Sequence, residues 1–434
     1  MIERNKERFP DLHPAFDSQS ALAEANRCLF CFDAPCTAAC PTHIDVPRFI
    51  GKISSGNLRG SAAAILEANV LGLSCSRVCP VEVLCEGSCV MHRYNKKPIE
   101  IGRLQRFAME NAPAVRLAPP SSSIMLKVAC IGGGPASLAC AAELRKHGAS
   151  VTVFDNRPLP GGLNTYGVAE YKLRPQDSLK EVEMVRAMGV EFRREEVGGT
   201  VALADLERQF DFIFVGVGLG AMERLGIPGE DLPGVLDALR FIERYKTQPD
   251  FPIGRSVVVI GAGNTAIDAA NAALRLGAED VHIFYRRGER EMPAFSFEYD
   301  HSKVEGVRFH WLAQPVAILG EDGRVCAMRF QRTRLTEPDA HGRRRAEPVP
   351  NSEYEMACDM VVPALGQSRL TALLDLEREG GCILIDRPTG RTSNPKYYAG
   401  GDCVNGGREV VDAVADGKRA AIGILKQFGG VCAG

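Results

Sequence analysis

The sequence predicts an α/β protein in which a helical, cysteine-rich amino-terminal region precedes two parallel-sheet units of the Rossmann type. Two observations carry this prediction. Eight of the 15 cysteines fall between Cys28 and Cys89, in a region with few β-branched runs. Beyond that region the order strand, glycine turn, helix and strand occurs twice, which is typical of α/β folds with parallel strands.

Length and composition are those of a globular protein with several domains. The 434 residues exceed what one compact core usually contains, and 45% hydrophobic and 24% charged residues are ordinary values. The net charge of −2 argues against a polyanion binder, so we expect no nucleic-acid partner. Because no apolar run could cross a bilayer and the charged start lacks a signal-peptide core, we expect a cytoplasmic protein with no membrane partner.

Changes in composition along the chain predict where the domains divide. Residues 1–117 hold the clustered cysteines and helical stretches such as Leu58 to Glu67. A polar run over residues 118–123 follows and predicts a joint between domains. From residue 124 onward, strand-like and helical segments alternate.

The first glycine turn follows the strand-like run Lys127 to Ile131. Glycine lets the backbone bend tightly and approach a pyrophosphate, which then lies at the start of the following helix. An aspartate ends the next strand, where an acid can accept hydrogen bonds from a ribose. The predicted dinucleotide site comprises Gly132, Gly134, Pro135, Ala136 and Asp155.

The second glycine turn follows Ser256 to Ile260 and predicts a second nucleotide site at Gly261, Gly263, Asn264 and Thr265. Its next strand ends in Arg286 and Arg287 instead of an acid. Arginines at this position suit the 2′-phosphate of NADPH. Glu289 and Glu291 follow immediately and could pair with them, so these residues leave NADH and NADPH open.

The clustered cysteines form two close-spaced runs. They are Cys28-x2-Cys31-x4-Cys36-x3-Cys40-Pro and Cys75-x3-Cys79-Pro-x4-Cys85-x3-Cys89. A Cys-Pro pair closing such a run is typical of ferredoxin-type [4Fe–4S] ligation. A structural zinc site also uses four thiolates, usually as two separated Cys-x2-Cys pairs. Only one such spacing occurs here, so iron–sulfur ligation is favoured and zinc is the alternative.

Near the carboxyl end, an Ala364-Leu-Gly366 turn and a Gly-Gly-Asp402 run follow the second unit. With the two glycine turns, these motifs resemble flavoproteins that have two dinucleotide-binding domains. The resemblance implies an FAD-binding domain of residues 124–245 and 365–434, with an NAD(P)-binding domain of residues 246–364 inserted in it. Ala364 and Gly366 belong to its predicted cofactor contacts. It implies further FAD contacts at Gly162, Leu163, Lys172, Val197, Gly401, Asp402 and Val410.

Shorter motifs in the amino-terminal region indicate a more specific family. They are Arg27-Cys-Leu-Phe-Cys31, Cys36-Thr-Ala-Ala-Cys-Pro-Thr42, Leu84-Cys-Glu-Gly-Ser-Cys89 and Ile99-Glu-Ile-Gly102. These runs resemble the amino-terminal region of dihydropyrimidine dehydrogenases, to which the glutamate synthase small subunit is closely related. The resemblance does not include the barrel domain in which dihydropyrimidine dehydrogenases reduce the pyrimidine. It therefore implies the separate electron-input subunit of a bacterial NAD-dependent dihydropyrimidine dehydrogenase.

This resemblance also implies the ligands of two [4Fe–4S] clusters. One cluster would take Cys28, Cys31, Cys36 and Cys89, and the other would take Cys40, Cys79, Cys85 and Gln105. Cys75 is then a spare thiol. The alternative is that Cys75 is the eighth ligand and Gln105 a helix-surface residue. Glutamine at this position favours the pyrimidine branch, because the glutamate synthase small subunit has an acidic residue there.

The implied activity is electron input. NADH would reduce FAD, and electrons would leave singly through the clusters, with no catalytic side chain because the cofactors carry the chemistry. The implied partner is a subunit with FMN and iron–sulfur centres that reduces uracil or thymine, which predicts a hetero-oligomer. NADH is favoured because a basic residue of the NADPH-using animal enzyme is missing near Pro293. The alternatives are a glutamate synthase-like NADPH oxidoreductase and a zinc-containing binding module without enzymatic activity.

Overall fold

The computed structural model describes residues 8–113, 115, 117, 122–248, 250–339, 342, 344–370 and 374–429. Most of the predicted joint, residues 118–121, lies outside these residues. The chain forms two compact units. The larger unit comprises Asp11–Thr165, Lys172–Gly220 and Arg369–Gly434, and the smaller unit comprises Met1–Pro10, Tyr166–Tyr171 and Ala221–Ser368.

The amino-terminal part of the larger unit is helical. Its helices are α1 (Ser18–Ala25), α2 (Pro35–Ala39), α3 (Val46–Ser54), α4 (Leu58–Ala68), α5 (Gly72–Val78) and α6 (Ile101–Asn111), with 3-10 turns at Val81–Val83 and Val90–Tyr94. Side chains of Asp17, Asp45 and Asn57 accept hydrogen bonds from the first turns of α1, α3 and α4. Apolar residues at helical spacing, as in α3, form a core in which several cysteines are packed.

The remaining elements follow in the order expected for two Rossmann-type units. The first set is β1 (Lys127–Ile131), α7 (Pro135–Lys146), β2 (Ser150–Asp155), α8 (Leu163–Tyr166), α9 (Pro175–Ala187), β3 (Glu191–Arg194), α10 (Leu203–Gln209) and β4 (Phe212–Val215). The second set is α11 (Ala238–Thr247), β5 (Ser256–Ile260), α12 (Asn264–Leu276), β6 (Asp280–Tyr285), a 3-10 turn (Glu289–Glu291), α13 (Ser296–Glu305), β7 (Arg308–Trp311), β8 (Ala313–Glu321), β9 (Arg324–Leu335), β10 (Ala346–Ala357) and β11 (Met360–Pro363). The last set is β12 (Arg378–Glu379), β13 (Cys382–Ile383), β14 (Tyr397–Ala399), α14 (Asp402–Asn405) and α15 (Val410–Phe428).

The larger unit contains a parallel sheet in the order β14-β4-β1-β2-β3. Val128 in the middle strand lies opposite Val151 on one side and Phe212 on the other. The central strands are apolar along nearly their whole length because helices cover both faces of such a sheet. Strand β14 joins this sheet after the whole second set of elements, so the prediction of a second Rossmann unit inserted in the first is confirmed.

The smaller unit has its own parallel sheet, in the order β11-β5-β6-β7. A separate antiparallel sheet, in the order β10-β9-β8, shares a hydrophobic core with it. Helix α11 packs against α12 and β11, which places residues 238–245 with this unit. Among the described residues, no helix is long and apolar enough to span a bilayer.

Helices α7 and α15 pack closely in the larger unit, and Gly417 permits the approach. A Cβ at Gly417 would lie 2.0 Å from the carbonyl oxygen of Ala136. We expect Gly417→Ala to destabilise the unit by about 1–3 kcal/mol, because the helices must separate. Urea unfolding measures the change. Gly51→Ala in α3 is the matched control, since its Cβ would meet Phe30 at an ordinary 3.4 Å; equal unfolding midpoints for the two variants would contradict the packing argument.

Candidate functional site

The first of two cysteine-lined cavities lies in the amino-terminal helical part of the larger unit. We call it the distal cavity; its lining includes Cys28, Cys31, Cys36, Cys89, Leu29, Val46, Ile50 and Met91. Phe30 adopts a left-handed conformation, with φ of 51°, in the turn that joins Cys28 to Cys31. Cys36 lies in the first turn of α2, and Cys89 precedes the turn Val90–Tyr94. The fold thus brings together four thiols that the sequence spreads over about 60 residues.

The second cavity lies between α5, α6 and the start of α15. We call it the proximal cavity; its lining includes Cys40, Cys75, Cys79, Cys85, Gln105, Asn69 and Val411. Three of its four cysteines are those that the resemblance assigns to the second cluster. Both candidates for the remaining ligand, Cys75 and Gln105, also line it.

The two candidate ligands are held differently. The Gln105 side-chain amide donates to the Gly72 carbonyl at 2.7 Å, which leaves the Gln105 side-chain oxygen as its metal-binding atom. Cys75 accepts a hydrogen bond from the Asn69 amide at 3.2 Å. A hydrogen bond with Cys75, together with burial, raises the pKa of Cys79 well above its ordinary value. The Cys75 thiol therefore already forms hydrogen bonds with Asn69 and Cys79.

The cysteine chemistry fits iron–sulfur clusters. Burial raises the pKa of Cys36 to about 11 and also raises the pKa of Cys28 and Cys85. Such buried thiols stay protonated until a metal displaces the proton. The thiols surround cavities and do not meet at a single point. A cluster of four irons requires this arrangement. Among the described residues, no three His, Cys, Asp or Glu side chains form a site for one metal ion.

The first glycine turn has the close backbone approach that a pyrophosphate site needs. Gly132 has φ of 91°, and a Cβ there would lie 2.6 Å from the Gly216 carbonyl oxygen. A Cβ at Gly162 would lie 2.8 Å from the Cα of Gly134, so these two glycines face each other. Asp155 accepts hydrogen bonds from the Gly133 N–H at 2.7 Å and the Arg157 N–H at 2.8 Å. The turn and the end of β2 are thereby held together.

Two buried polar atoms beside this turn were not foreseen from the sequence. The Ser137 hydroxyl and the Asn164 side-chain oxygen are buried and have no hydrogen-bond partner among the described residues. Asn164 directly follows Leu163, which is 38% exposed. Because unpaired buried polar atoms are costly, both atoms fit a site whose bound ligand supplies the missing partners.

The other predicted FAD contacts lie in the same unit. Asp402 opens α14 and accepts from the Arg408 N–H at 3.2 Å, and burial raises the pKa of Asp402. Gly401 donates to Asp416 at 3.0 Å. Pro135 and Ala136 form the first turn of α7, and Val410 that of α15. Lys172 and Val197 are buried.

The second glycine turn repeats the first in the smaller unit. Gly261 has φ of 127°, and a Cβ there would lie 2.3 Å from the Ala364 carbonyl oxygen. Gly263 precedes α12, whose first residues are Asn264 and Thr265. The Asn264 side chain accepts from the Phe295 N–H at 3.1 Å. A Cβ at Gly366 would meet no atom within 4 Å, so space remains beside the Ala364–Gly366 turn.

The glutamates beside the arginine pair have other partners. The Glu291 carboxylate accepts from the Gly288 N–H at 3.1 Å, and Glu289 accepts a hydrogen bond from the Tyr299 hydroxyl. Within the described part of the chain, no ion pair of Arg286 or Arg287 is recorded. Arg286 is exposed, and the buried Arg287 Nε atom lacks a hydrogen-bond partner there.

Two family models match the parts of the chain that contain the cysteine-lined cavities and the glycine turns. Residues 4–116 match the family model of dihydropyrimidine dehydrogenase domain II, 4Fe-4S cluster. Residues 126–417 match the pyridine nucleotide-disulphide oxidoreductase model. The first match favours iron–sulfur clusters over the zinc alternative.

Relatives that match nearly the whole of this chain are found among bacterial proteins. The putative oxidoreductase AegA of Escherichia coli is 39% identical over 99% of this chain and 69% of its own. The glutamate synthase [NADPH] small chain of E. coli is 36% identical over 98% of this chain and 95% of its own. The NAD-dependent dihydropyrimidine dehydrogenase subunit PreT of E. coli is 35% identical over 97% of this chain and 98% of its own.

A solved structure supports the fold. Mycobacterium tuberculosis FprA has a TM-score of 0.60 at 23% identity, covering 70% of this chain and 85% of its own. The expected relationship to dihydropyrimidine dehydrogenase and glutamate synthase subunits is confirmed. The chain belongs to the pyridine nucleotide-disulphide oxidoreductase family, as an NAD(P)H-dependent flavin and iron–sulfur oxidoreductase.

Proposed function

We propose that this chain is an electron-input subunit. It takes two electrons from a nicotinamide nucleotide at its FAD site and passes them singly through two [4Fe–4S] clusters to a partner subunit that reduces uracil or thymine. The observation that carries the proposal is the start of α15. Val411 lines the proximal cavity, and its neighbour Val410 is the residue expected at the flavin. One turn of helix thus joins the two redox sites.

The chain's own residues would hold and separate the cofactors. When bound, FAD accepts a hydride and each [4Fe–4S] cluster accepts one electron. The distal cavity offers four thiols, and the proximal cavity offers Cys40, Cys79, Cys85 and the Gln105 oxygen. Apolar side chains such as Ile50, Met91 and Val411 fill the space around both cavities and exclude water. For each pair of electrons passed on, one nicotinamide nucleotide is oxidised and one proton is released.

Exposed apolar side chains beside the distal cavity support an exit for electrons there. Leu29, Phe30 and Phe32 are 53%, 47% and 100% exposed and belong to the loop that carries Cys28 and Cys31. Large apolar side chains that are clustered and exposed mark surfaces that another protein covers. A partner bound on this loop would place its own acceptor next to the distal cluster.

The pyrimidine branch is supported by Gln105; PreT and the glutamate synthase small chain are about equally similar to this chain and do not separate the two branches. The test is an anaerobic pull-down of the chain from its native cells, with nucleotide oxidation assayed in the bound complex. We expect turnover that depends on uracil and a partner containing FMN. Turnover that depends only on glutamine and 2-oxoglutarate would reject the pyrimidine proposal and assign the chain to the glutamate synthase branch.

The nucleotide is a separate question, because it binds in the smaller unit. The sequence favoured NADH, whereas the positions of Glu289 and Glu291 support NADPH. Since both glutamates have other partners, they do not neutralise Arg286 and Arg287; the Arg287 guanidinium instead lies over the Tyr285 ring, 5.5 Å from its centroid. We infer that NADPH is the preferred donor.

We expect Arg287→Ala to raise the KM for NADPH by about tenfold or more while changing the KM for NADH little, because a charge-assisted hydrogen bond is lost. Flavin reduction under anaerobic conditions measures both constants. Arg308→Ala, at the opposite end of the β6–β7 pair, is the control. A wild-type KM for NADPH in Arg287→Ala would contradict the assignment.

The eighth cluster ligand is tested by two substitutions in the proximal cavity. We expect Gln105→Ala to alter the EPR signal of one reduced cluster, because a metal ligand is removed. Cys75→Ala should leave both signals intact. The two variants are compared as purified proteins with wild-type iron content. The reverse result would make Cys75 the ligand.

A further inference from the structure

We propose that Glu181 is a positioning residue for electron transfer between the flavin and the proximal cluster. Its side chain extends from α9 in the Rossmann part of the larger unit. It holds the amino-terminal end of α5, the helix that contains Cys75 and ends next to Cys79. This inference rests on the proposed function. It adds how the flavin site and the proximal cluster are held in position relative to each other.

Helix α5 needs outside support. It has only seven residues, and Leu71 at its N-cap supplies no side-chain hydrogen bond. The first N–H groups of any helix lack acceptors within the helix. Helices this short are also unstable in isolation. The position of α5 therefore depends on groups from elsewhere in the chain.

Glu181 supplies acceptors for the first turn of α5. Its carboxylate accepts from the Leu73 N–H at 2.7 Å and the Ser74 N–H at 3.1 Å, and also from the Ser74 hydroxyl. Glu181 is 3% exposed, and its partners lie 107 and 108 residues away in the sequence. A carboxylate buried this deeply is costly unless its oxygens are satisfied, and here the α5 donors satisfy them.

A second contact fixes the other end of α5. The Arg77 side chain is 2% exposed, and its Nε donates to the Lys172 carbonyl at 2.9 Å. Its terminal nitrogens pair with Asp11 at 2.5 Å and Glu110 at 3.1 Å. Helix α5 is thus tied at both ends to the stretch from Lys172 to Glu181. That stretch begins at the residue expected beside the flavin.

The position of α5 controls much of the proximal cavity. Cys79 directly follows the helix, and the Gly72 carbonyl orients the Gln105 amide. A shift of α5 would move both groups relative to the flavin site. Because electron transfer slows as the distance between donor and acceptor grows, the hydrogen bonds of Glu181 to α5 should control the rate of cluster reduction.

The test compares Glu181→Leu and Glu181→Gln with the wild-type protein, loaded with FAD and iron. Glu183→Gln is the matched control, because Glu183 lies on the same helix and its side chain is 64% exposed. Each protein is mixed anaerobically with NADPH while flavin and cluster absorption are followed separately. EPR of the reduced clusters and hydrogen–deuterium exchange of residues 72–78 provide readouts independent of turnover.

We expect all four proteins to reduce flavin at similar rates. Cluster reduction should be slower by about tenfold or more in Glu181→Leu, with an intermediate rate in Glu181→Gln, which keeps one acceptor oxygen. The EPR signal of one cluster should change, the other should not, and exchange in α5 should accelerate. Glu183→Gln should match the wild type in every readout.

Wild-type cluster reduction and EPR signals in both iron-loaded Glu181 variants would overturn the proposal. If Glu181→Leu does not bind iron, Glu181→Gln decides the question; wild-type cluster reduction, EPR signals and α5 exchange in that variant would count equally against Glu181. Failure of both NADPH and NADH to reduce flavin and clusters in the wild type would instead reject the proposed function.

Discussion

The structure depends on the attachment of a helical, cysteine-rich region to the side of a Rossmann sheet. Side chains on that sheet's helices form hydrogen bonds with the ends of its short helices. Glu181 accepts from α5, while Lys418 and Lys146 donate to the last carbonyls of α4, at Ala68 and Glu67. These bonds satisfy groups that helix ends leave unpaired. The same contacts bring the proximal cavity next to the start of α15, so the attachment that stabilises the helices also aligns the redox sites.

Cluster binding and folding are coupled in this arrangement. The cysteines contribute to the amino-terminal core as well as to the two cavities. Their buried thiols must lose protons when iron binds, so cluster loading changes both the charge and the stability of this region. The core of the Rossmann sheet is formed mainly by strands β1, β2 and β4 and helices α7, α9 and α15, and it also contains Val70 and Leu71 of the amino-terminal region.

The parts predicted well from the sequence are those encoded by local patterns. Glycine turns after apolar strands predicted both Rossmann units, and the motif resemblance implied that the second unit is inserted in the first. The same resemblance implied two groups of cluster ligands; the structure places cysteines of each group around a cavity, and the ligand assignment stays a prediction. Contacts between distant segments were missed, including Glu181 with Ser74 and Arg77 with the Lys172 carbonyl, because no periodicity or motif marks them. The glutamates after Arg287 were thought able to neutralise the arginines, yet a backbone N–H and a tyrosine hydroxyl occupy them. Which hydrogen-bond partner a side chain takes depends on residues that are close in the fold and distant in the sequence.

The central claim is that one chain connects a two-electron flavin site to two one-electron clusters. An anaerobic reductive titration of the purified holoprotein, followed by absorption and EPR, tests it most directly. We expect uptake of about four electrons per chain, two at the flavin and one at each cluster, with two distinct cluster signals. Uptake of about two electrons without a cluster signal would show a simple flavoprotein and contradict the account.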